Sequence, residues 1–338
     1  MVIIAFSERL DHFKIKEISL KALIKYEDEI RKKRQEFLNK FILIKELGVG
    51  GFGEVWLAHY KNSFKLCAIK FIRKTNEFFV YNKEINIMKK CKNKSKLCQL
   101  YENYEDEFKL IIVMEYIAGK ELYDYINIKL YPEDIIKNIF IQILQGIQEM
   151  HEADLVHRDI KPENIIIENI EDNLNLNVTI LDFGLAEYCN NTTILTRKCG
   201  SLEYMAPEVK KEKYNKSSDI YSLGILLYIM LCGENPFYNN SSKLKHNICP
   251  FTEPNWKIIS DEAKVLVIKL LTIDPNKRIK IDNIFKHPWI TGNTKINYYK
   301  RHNSSILYNN TKPPIYKIRK YNSYYNLRDI YKLYMDCI

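Results

Sequence analysis

Apolar and polar positions change rhythm several times along the chain. Residues 1–40 are polar and helix-prone: Ile18, Leu20, Leu23, Ile24 and Tyr26 fall only roughly at helical spacing, and Glu27 to Gln35 is nearly all charged. Such a segment reads as a solvated helix lying on the next domain. From Phe41 the rhythm becomes that of strands. Phe41-Ile42-Leu43-Ile44, Glu54 to Ala58, Leu66 to Ile72 and Leu110 to Tyr116 are short runs rich in strand formers. Between them, Tyr81 to Met88 can form a helix with Glu84 and Met88 on one face. Past Glu121 the pattern turns helical. Ile135, Ile139, Ile143, Ile147 and Met150 repeat at three to four residues, as in a buried helix.

Composition narrows the class. The chain has 338 residues and 46% hydrophobic content, ample for a buried core. No run of about 18 apolar residues occurs, so no membrane span is expected. Val2 to Phe6 is too short for a signal peptide, and Val2 excludes N-myristoylation. The eight cysteines are scattered without a CxxC pair. They read as reduced, mostly buried thiols of a cytoplasmic or nuclear protein, with no zinc site. The net charge of +10 sits at the ends: residues 1–40 carry +3, residues 291–338 carry +7, and residues 41–290 balance. A neutral middle argues against nucleic-acid binding.

Candidate chemistry concentrates in His157-Arg158-Asp159-Ile160-Lys161-Pro162-Glu163-Asn164, with Asp182-Phe183-Gly184 following. A proton acceptor, a cation and metal-ligating oxygens in that compass suit phosphoryl transfer. Upstream lies Gly48-Val49-Gly50-Gly51-Phe52-Gly53-Glu54-Val55 between two strand runs. Its glycines suit a phosphate cradle, and equally an ordinary turn. Ala68 and Lys70 share a strand face, leaving room for a purine and bringing an ammonium to its phosphates. A buried lysine needs a carboxylate partner, and Glu84 fits by spacing. Glu115 to Gly119 reads as a hinge whose backbone could meet a purine edge.

In order, these motifs and Ala206-Pro207-Glu208 resemble the eukaryotic protein kinase family over residues 41–290. The resemblance is greater to calcium/calmodulin-dependent and calcium-dependent kinases. It rests on Leu227 to Phe237, Pro254-Asn255-Trp256, Ser260 to Lys264, Asp274 to Arg278 and His287-Pro288-Trp289. It implies an α+β bilobal fold. A small antiparallel β-sheet N-lobe with one main helix would cover 41–114, a hinge 115–119, and a larger helical C-lobe 120–290. It also implies ATP and Mg²⁺ as cofactors. Asp159 and Lys161 would be catalytic, and Asn164 and Asp182 would hold Mg²⁺. Lys70, tied to Glu84, would grip phosphates under the loop of Gly48, Gly50, Gly51, Phe52 and Gly53. Leu47, Val55, Ala68 and Ile166 would sandwich adenine, with Glu115, Ile117 and Glu121 lining the site. Glu208 would pair with Arg278, and Asp219 would hold the catalytic loop from below. His157, Phe183, Met88 and Leu100 would stack between lobes, with His157 and His287 packing and not acting as bases.

The resemblance also bears on substrate and regulation. Lys161 and Ser201 match serine/threonine kinases, with protein substrates as partners. Glu121 and Glu163 match positions that receive an upstream arginine in basophilic relatives. Arg158 suggests activation-segment phosphorylation, but the usual phosphoacceptor place holds Arg197. Constitutive ordering and phosphorylation at Thr196 are both open. Residues 291–338 are basic, tyrosine-rich and free of an EF-hand pattern. After Pro313-Pro314, the residues Leu327, Ile330, Tyr331 and Tyr334 would share a helix face. A segment docked on the kinase lobe is the preferred reading, ahead of an autoinhibitory or calmodulin contact. Two rivals to an active protein kinase are a scaffolding pseudokinase and a small-molecule kinase. The first should have lost a site lysine, aspartate or glycine, and the second should lack Ala206-Pro207-Glu208.

Overall fold

The computed structural model describes residues 28–29, 31–50, 53–74, 81–105, 109–170, 175–237, 251 and 254–292. The stripe from Ile18 to Tyr26, Gly51, Phe52, Pro313-Pro314 and the face of Leu327 to Tyr334 lie outside these residues. Helical residues 31–40 form α1. Five antiparallel strands follow: β1 (Phe41–Gly50), β2 (Gly53–Tyr60), β3 (Leu66–Arg73), β4 (Leu100–Glu105) and β5 (Lys109–Glu115). Their order is β1-β2-β3-β5-β4, with α2 (Tyr81–Lys90) between β3 and β4 in sequence.

Period-two alternation divides this sheet into two faces. Cys67, Ile69 and Phe71 of β3 join Trp56, Ile111 and Val113 in one apolar cluster. Ala68 and Lys70 point to the other face. α1 carries six charged residues in ten but buries Phe37 to 3% exposure in that cluster. The Phe37 ring lies 5.2 Å from Phe41 and 5.6 Å from Tyr104. Beside it, Glu102 accepts hydrogen bonds from Lys40 Nζ at 2.6 Å and Tyr60 Oη at 3.0 Å. The helix expected to lie on the next domain is therefore anchored by one aromatic plug and one ion pair.

The second part is mainly helical: α3 (Leu122–Ile128), α4 (Glu133–Glu152), α5 (Ser217–Cys232), α6 (Asp261–Leu270), α7 (Ile281–Phe285) and α8 (Pro288–Thr291). α5 is apolar all round and buried, as a central core helix must be. It stops at Cys232 because Gly233 caps it at φ 84°. Glu234 to Phe237, which the resemblance placed with that helix, thus lie beyond it. Short strands complete the fold: β6 (Lys120–Glu121), β7 (Leu155–Val156), β8 (Ile165–Glu168), β9 (Asn177–Ile180) and β10 (Glu187–Tyr188). The expected α+β architecture, an antiparallel sheet region followed by a helical region, is observed. Among the described residues no helix is long and apolar enough to cross a membrane.

Candidate active site

The site forms where the inner sheet face meets the loops after β7 and β9. In β3, Lys70 lies opposite Val55 of β2 and Ile112 of β5, while Ala68 lies opposite Leu57 and Met114. α2 brings Glu84 to Lys70, with Nζ–Oε1 at 2.7 Å, and Asp182 Oδ1 lies 2.9 Å from the same nitrogen. Lys70 and Glu84 are both almost fully buried. Burial disfavours the ammonium, but the two carboxylates outweigh it and raise the Lys70 pKa above its ordinary value. The Asp182 carboxyl, also opposed by burial, is held below the usual range by Lys70 and the Gly184 N–H.

The β8–β9 hairpin brings the next pair together. Ile165 lies opposite Ile180, and Leu181 N–H donates to Asn164 O at 2.8 Å. Asn164 and Asp182 therefore flank the same end of the hairpin. Asn164 Nδ2 donates to Asp159 O at 2.8 Å and to Asp159 Oδ2 at 3.1 Å. Lys161 Nζ lies 2.8 Å from Asp159 Oδ2. On the other oxygen, Asp159 Oδ1 accepts from Ser201 N at 2.9 Å and Ser201 Oγ at 2.8 Å. Burial opposes the Asp159 anion, but Lys161 and Ser201 overcome it and lower its pKa. Lys161 Nζ also donates to Ser201 Oγ at 3.1 Å, which closes the ring.

Backbone strain concentrates here. Arg158 and Asp182 sit at φ 69° and 59°, a region ordinarily costing about 1–3 kcal/mol for such residues. Asp219 at the start of α5 stabilises the first of these by accepting the N–H groups of His157 and Arg158, each at 2.9 Å. Gly200 must be glycine: its φ is +100°, and a Cβ there would meet Arg158 O at 2.3 Å. Gly53 is equally constrained, at φ +127° with Phe71 O only 2.0 Å from a Cβ. At Gly48 and Gly50 a Cβ would meet open space, so neither is a packing requirement.

These groups face one cleft of about 510 Å³, within the range of small-molecule sites. Leu47, Gly48, Gly50, Gly53 and Val55 line its roof; Ala68, Lys70 and Glu84 line its inner wall. Glu115, Ile117 and Glu121 line the side between β5 and α3, with Asn164, Ile166 and Asp182 below. Asp159 and Lys161 adjoin this floor through Asn164. Gly51 and Phe52 lie outside the described residues. Met114, Cys98 and Leu181 also line the cleft and were not singled out from the sequence. Met114 could have been found from its register opposite Ala68, once the strands are paired.

The expected supports are in place as well. Arg278 Nη2 donates to Glu208 Oε2 at 3.0 Å, and both side chains are buried. Met88 and Phe183 join the large core with Leu100 packed against it, and the His157 and Phe183 rings lie 5.9 Å apart. His287 caps α8 by accepting from Trp289 N at 3.3 Å.

The chain from β1 to α8 matches one known family. A family model described as the protein kinase domain matches residues 41–290. Protein kinase domains transfer phosphoryl groups from ATP, generally with Mg²⁺, to protein substrates, and the cleft residues above fall inside the match. The chain belongs to the protein kinase family.

Proposed function

We propose that the protein is an active serine/threonine kinase whose catalytic unit is residues 41–290. The observation that carries this reading is the ring of Asp159, Lys161 and Ser201. Ser201 already presents a small hydroxyl to Asp159 at 2.8 Å, a geometry that a substrate serine or threonine can share. In that reading the substrate oxygen bonds to the γ-phosphorus while the bond to the β–γ bridging oxygen breaks, and the hydroxyl proton passes to Asp159. The lowered basicity of Asp159 suits alignment first and proton uptake late in the step. Lys161 would neutralise charge on the moving phosphoryl group, and Lys70 would anchor the other phosphates.

The donor set also fits Mg²⁺. Asp182 is a charged carboxylate, and Asn164 spends its amide N–H on Asp159, so its carbonyl oxygen is the group left for a hard cation. Bound there, the metal would supply charge neutralisation for the phosphates. Ala68, Val55, Leu47 and Ile166 would enclose adenine, and Glu115 and Ile117 would present backbone groups to its edge.

A preference for basic residues upstream of the site is part of the proposal. Glu163 Oε2 is buried without a hydrogen-bond partner among the described residues, and Glu203 adds to the negative field around it. An incoming arginine would satisfy that oxygen. Kinship with the calcium/calmodulin-dependent group is likewise proposed, from the substrate-lobe segments.

An oriented peptide library with Mg²⁺-ATP tests the reading. Labelling on serine and threonine with upstream arginine or lysine is expected, and Asp159→Asn should lower kcat by about 10²–10⁴. Labelling on tyrosine, or ATP binding without turnover in the unmodified protein, would overturn it.

A further inference from the structure

The guanidinium of Arg158 is buried, its side chain 3% exposed, and its donors are met from within the chain. Nε donates to Leu185 O at 2.6 Å and Nη1 to Tyr214 Oη at 3.2 Å. Tyr214 Oη in turn donates to Arg197 O at 2.6 Å. The third partner is charged: Arg158 Nη2 lies 3.3 Å from Glu187 Oε2. The same oxygen accepts from Lys83 Nζ at 2.7 Å. Glu187 therefore bridges the loop after β7 to helix α2.

The sequence neighbours of this bridge give it meaning. Arg158 immediately precedes Asp159, and Lys83 immediately precedes Glu84, the partner of Lys70. One carboxylate thus sits beside both the phosphate-gripping pair and the hydroxyl-facing aspartate. Glu187 is itself fixed in β10, opposite Val156 of β7, one residue before His157. The segment between Asp182 and Glu208 is ordered through these contacts, the Leu195–Tyr214 bridge and the Asn190 turn that caps Thr192 and Thr193.

We propose that Glu187 is a positioning residue: its carboxylate locks α2 to the catalytic loop, supplying from within the chain the anion that keeps the site assembled. The proposal rests on the kinase reading above and adds its regulation. Because the Arg158 guanidinium is already neutralised and enclosed, the site does not need a phosphate on Thr196, which is exposed at the other side of Arg197's backbone tie. Charge-assisted hydrogen bonds of this kind carry enough free energy to hold a helix in register.

The test is a double-mutant cycle on the full chain, read in kcat, KM for ATP and amide hydrogen exchange. Glu187→Gln should lower kcat/KM for ATP roughly tenfold or more, and Glu187→Asp should restore part of it. Lys83→Met should cost activity in the unmodified background and little in the Glu187→Gln background. Thr196→Ala and phosphatase treatment should leave turnover unchanged. Additive losses, an unchanged Glu187→Gln enzyme, or activity lost on phosphatase treatment would each overturn the proposal. Hydrogen exchange separates this result from failure of the kinase reading. Even in a protein without turnover, Glu187→Gln should speed exchange across Tyr81–Lys90, and unaltered protection there would count against the bridge.

Discussion

Asp219 Oδ1 accepts the backbone N–H of Arg158 at 2.9 Å, reaching from the first turn of a buried helix to a residue 61 positions earlier. The other oxygen takes His157 N–H and lies 2.9 Å from His151 Nε2. A carboxylate so placed turns the left-handed backbone of Arg158 from a strained state into the resting one. Asp219→Ala would leave two buried N–H donors unmet, each worth about 1–3 kcal/mol. Denaturant unfolding should show a loss of about 2–6 kcal/mol for the two together, with turnover falling in the fraction that stays folded.

The same residue sets an acid limit. Burial opposes the Asp219 anion, but His151, His157 and their hydrogen bonds depress its folded pKa below 3.8. Its contribution is therefore present above the unfolded pKa and is lost as pH falls through the depressed folded value. Stability measured against pH in the acid range should fall less steeply for Asp219→Asn than for the unmodified protein.

Lys70→Met would leave Glu84 buried without its cation and Asp182 without its nearest one. We expect activity to drop by about 10²–10³, with weaker ATP binding by calorimetry. A smaller loss in stability should accompany it, because two carboxylates would then share a dry site.

Burial raises the Glu163 carboxyl above its ordinary 4.5, so mild acidification neutralises it before most carboxylates. Under the proposed substrate preference, a peptide with an upstream arginine would bind the charged form. Its KM should rise as pH falls through the raised value, while KM for Glu163→Gln should be high and flat across the same range. Parallel profiles for the two proteins would remove Glu163 from substrate recognition.

Phe37→Ala should cost about 3–5 kcal/mol, since a buried ring is removed from an aromatic cluster. The midpoint of denaturant unfolding reports it, and near-ultraviolet circular dichroism should show the loss of the Phe37, Phe41 and Tyr104 packing.

Much of this site is readable in the chain because its chemistry is local. Ala68 and Lys70 declare their shared face by a spacing of two, and Asp159, Lys161 and Asn164 lie within one loop. Glu84 is legible through the need of a buried lysine for a carboxylate. Other parts depend on pairings that no local pattern carries. Strands β8 and β9 are four residues each, set around a stretch rich in Asn and Asp, so the hairpin joining Asn164 to Asp182 has no periodic signal of its own. β4 reads LYENYE, two acids among aromatics, and suggests a strand only once Tyr60 and Lys40 arrive to meet Glu102. Phe37 is a lone ring in a charged helix, and Glu187 an ordinary acid beside a tyrosine. Besides its near neighbour Phe41, Phe37 meets Phe71 and Tyr104, 34 and 67 residues away, and Glu187 meets Arg158 and Lys83, 29 and 104 residues away.

The anchoring of α1 has a practical corollary for anyone cutting this protein. Phe37 and Lys40 lie upstream of the stretch that defines the family, yet they seal its sheet and tie Glu102. Lys61 adds a further stitch, its Nζ donating to Leu38 O at 2.9 Å. A recombinant fragment begun at Phe41 would expose an aromatic face and strand a carboxylate. Begun at Arg31, ten residues before the family match, it would carry the ring and the ion pair that cover this sheet.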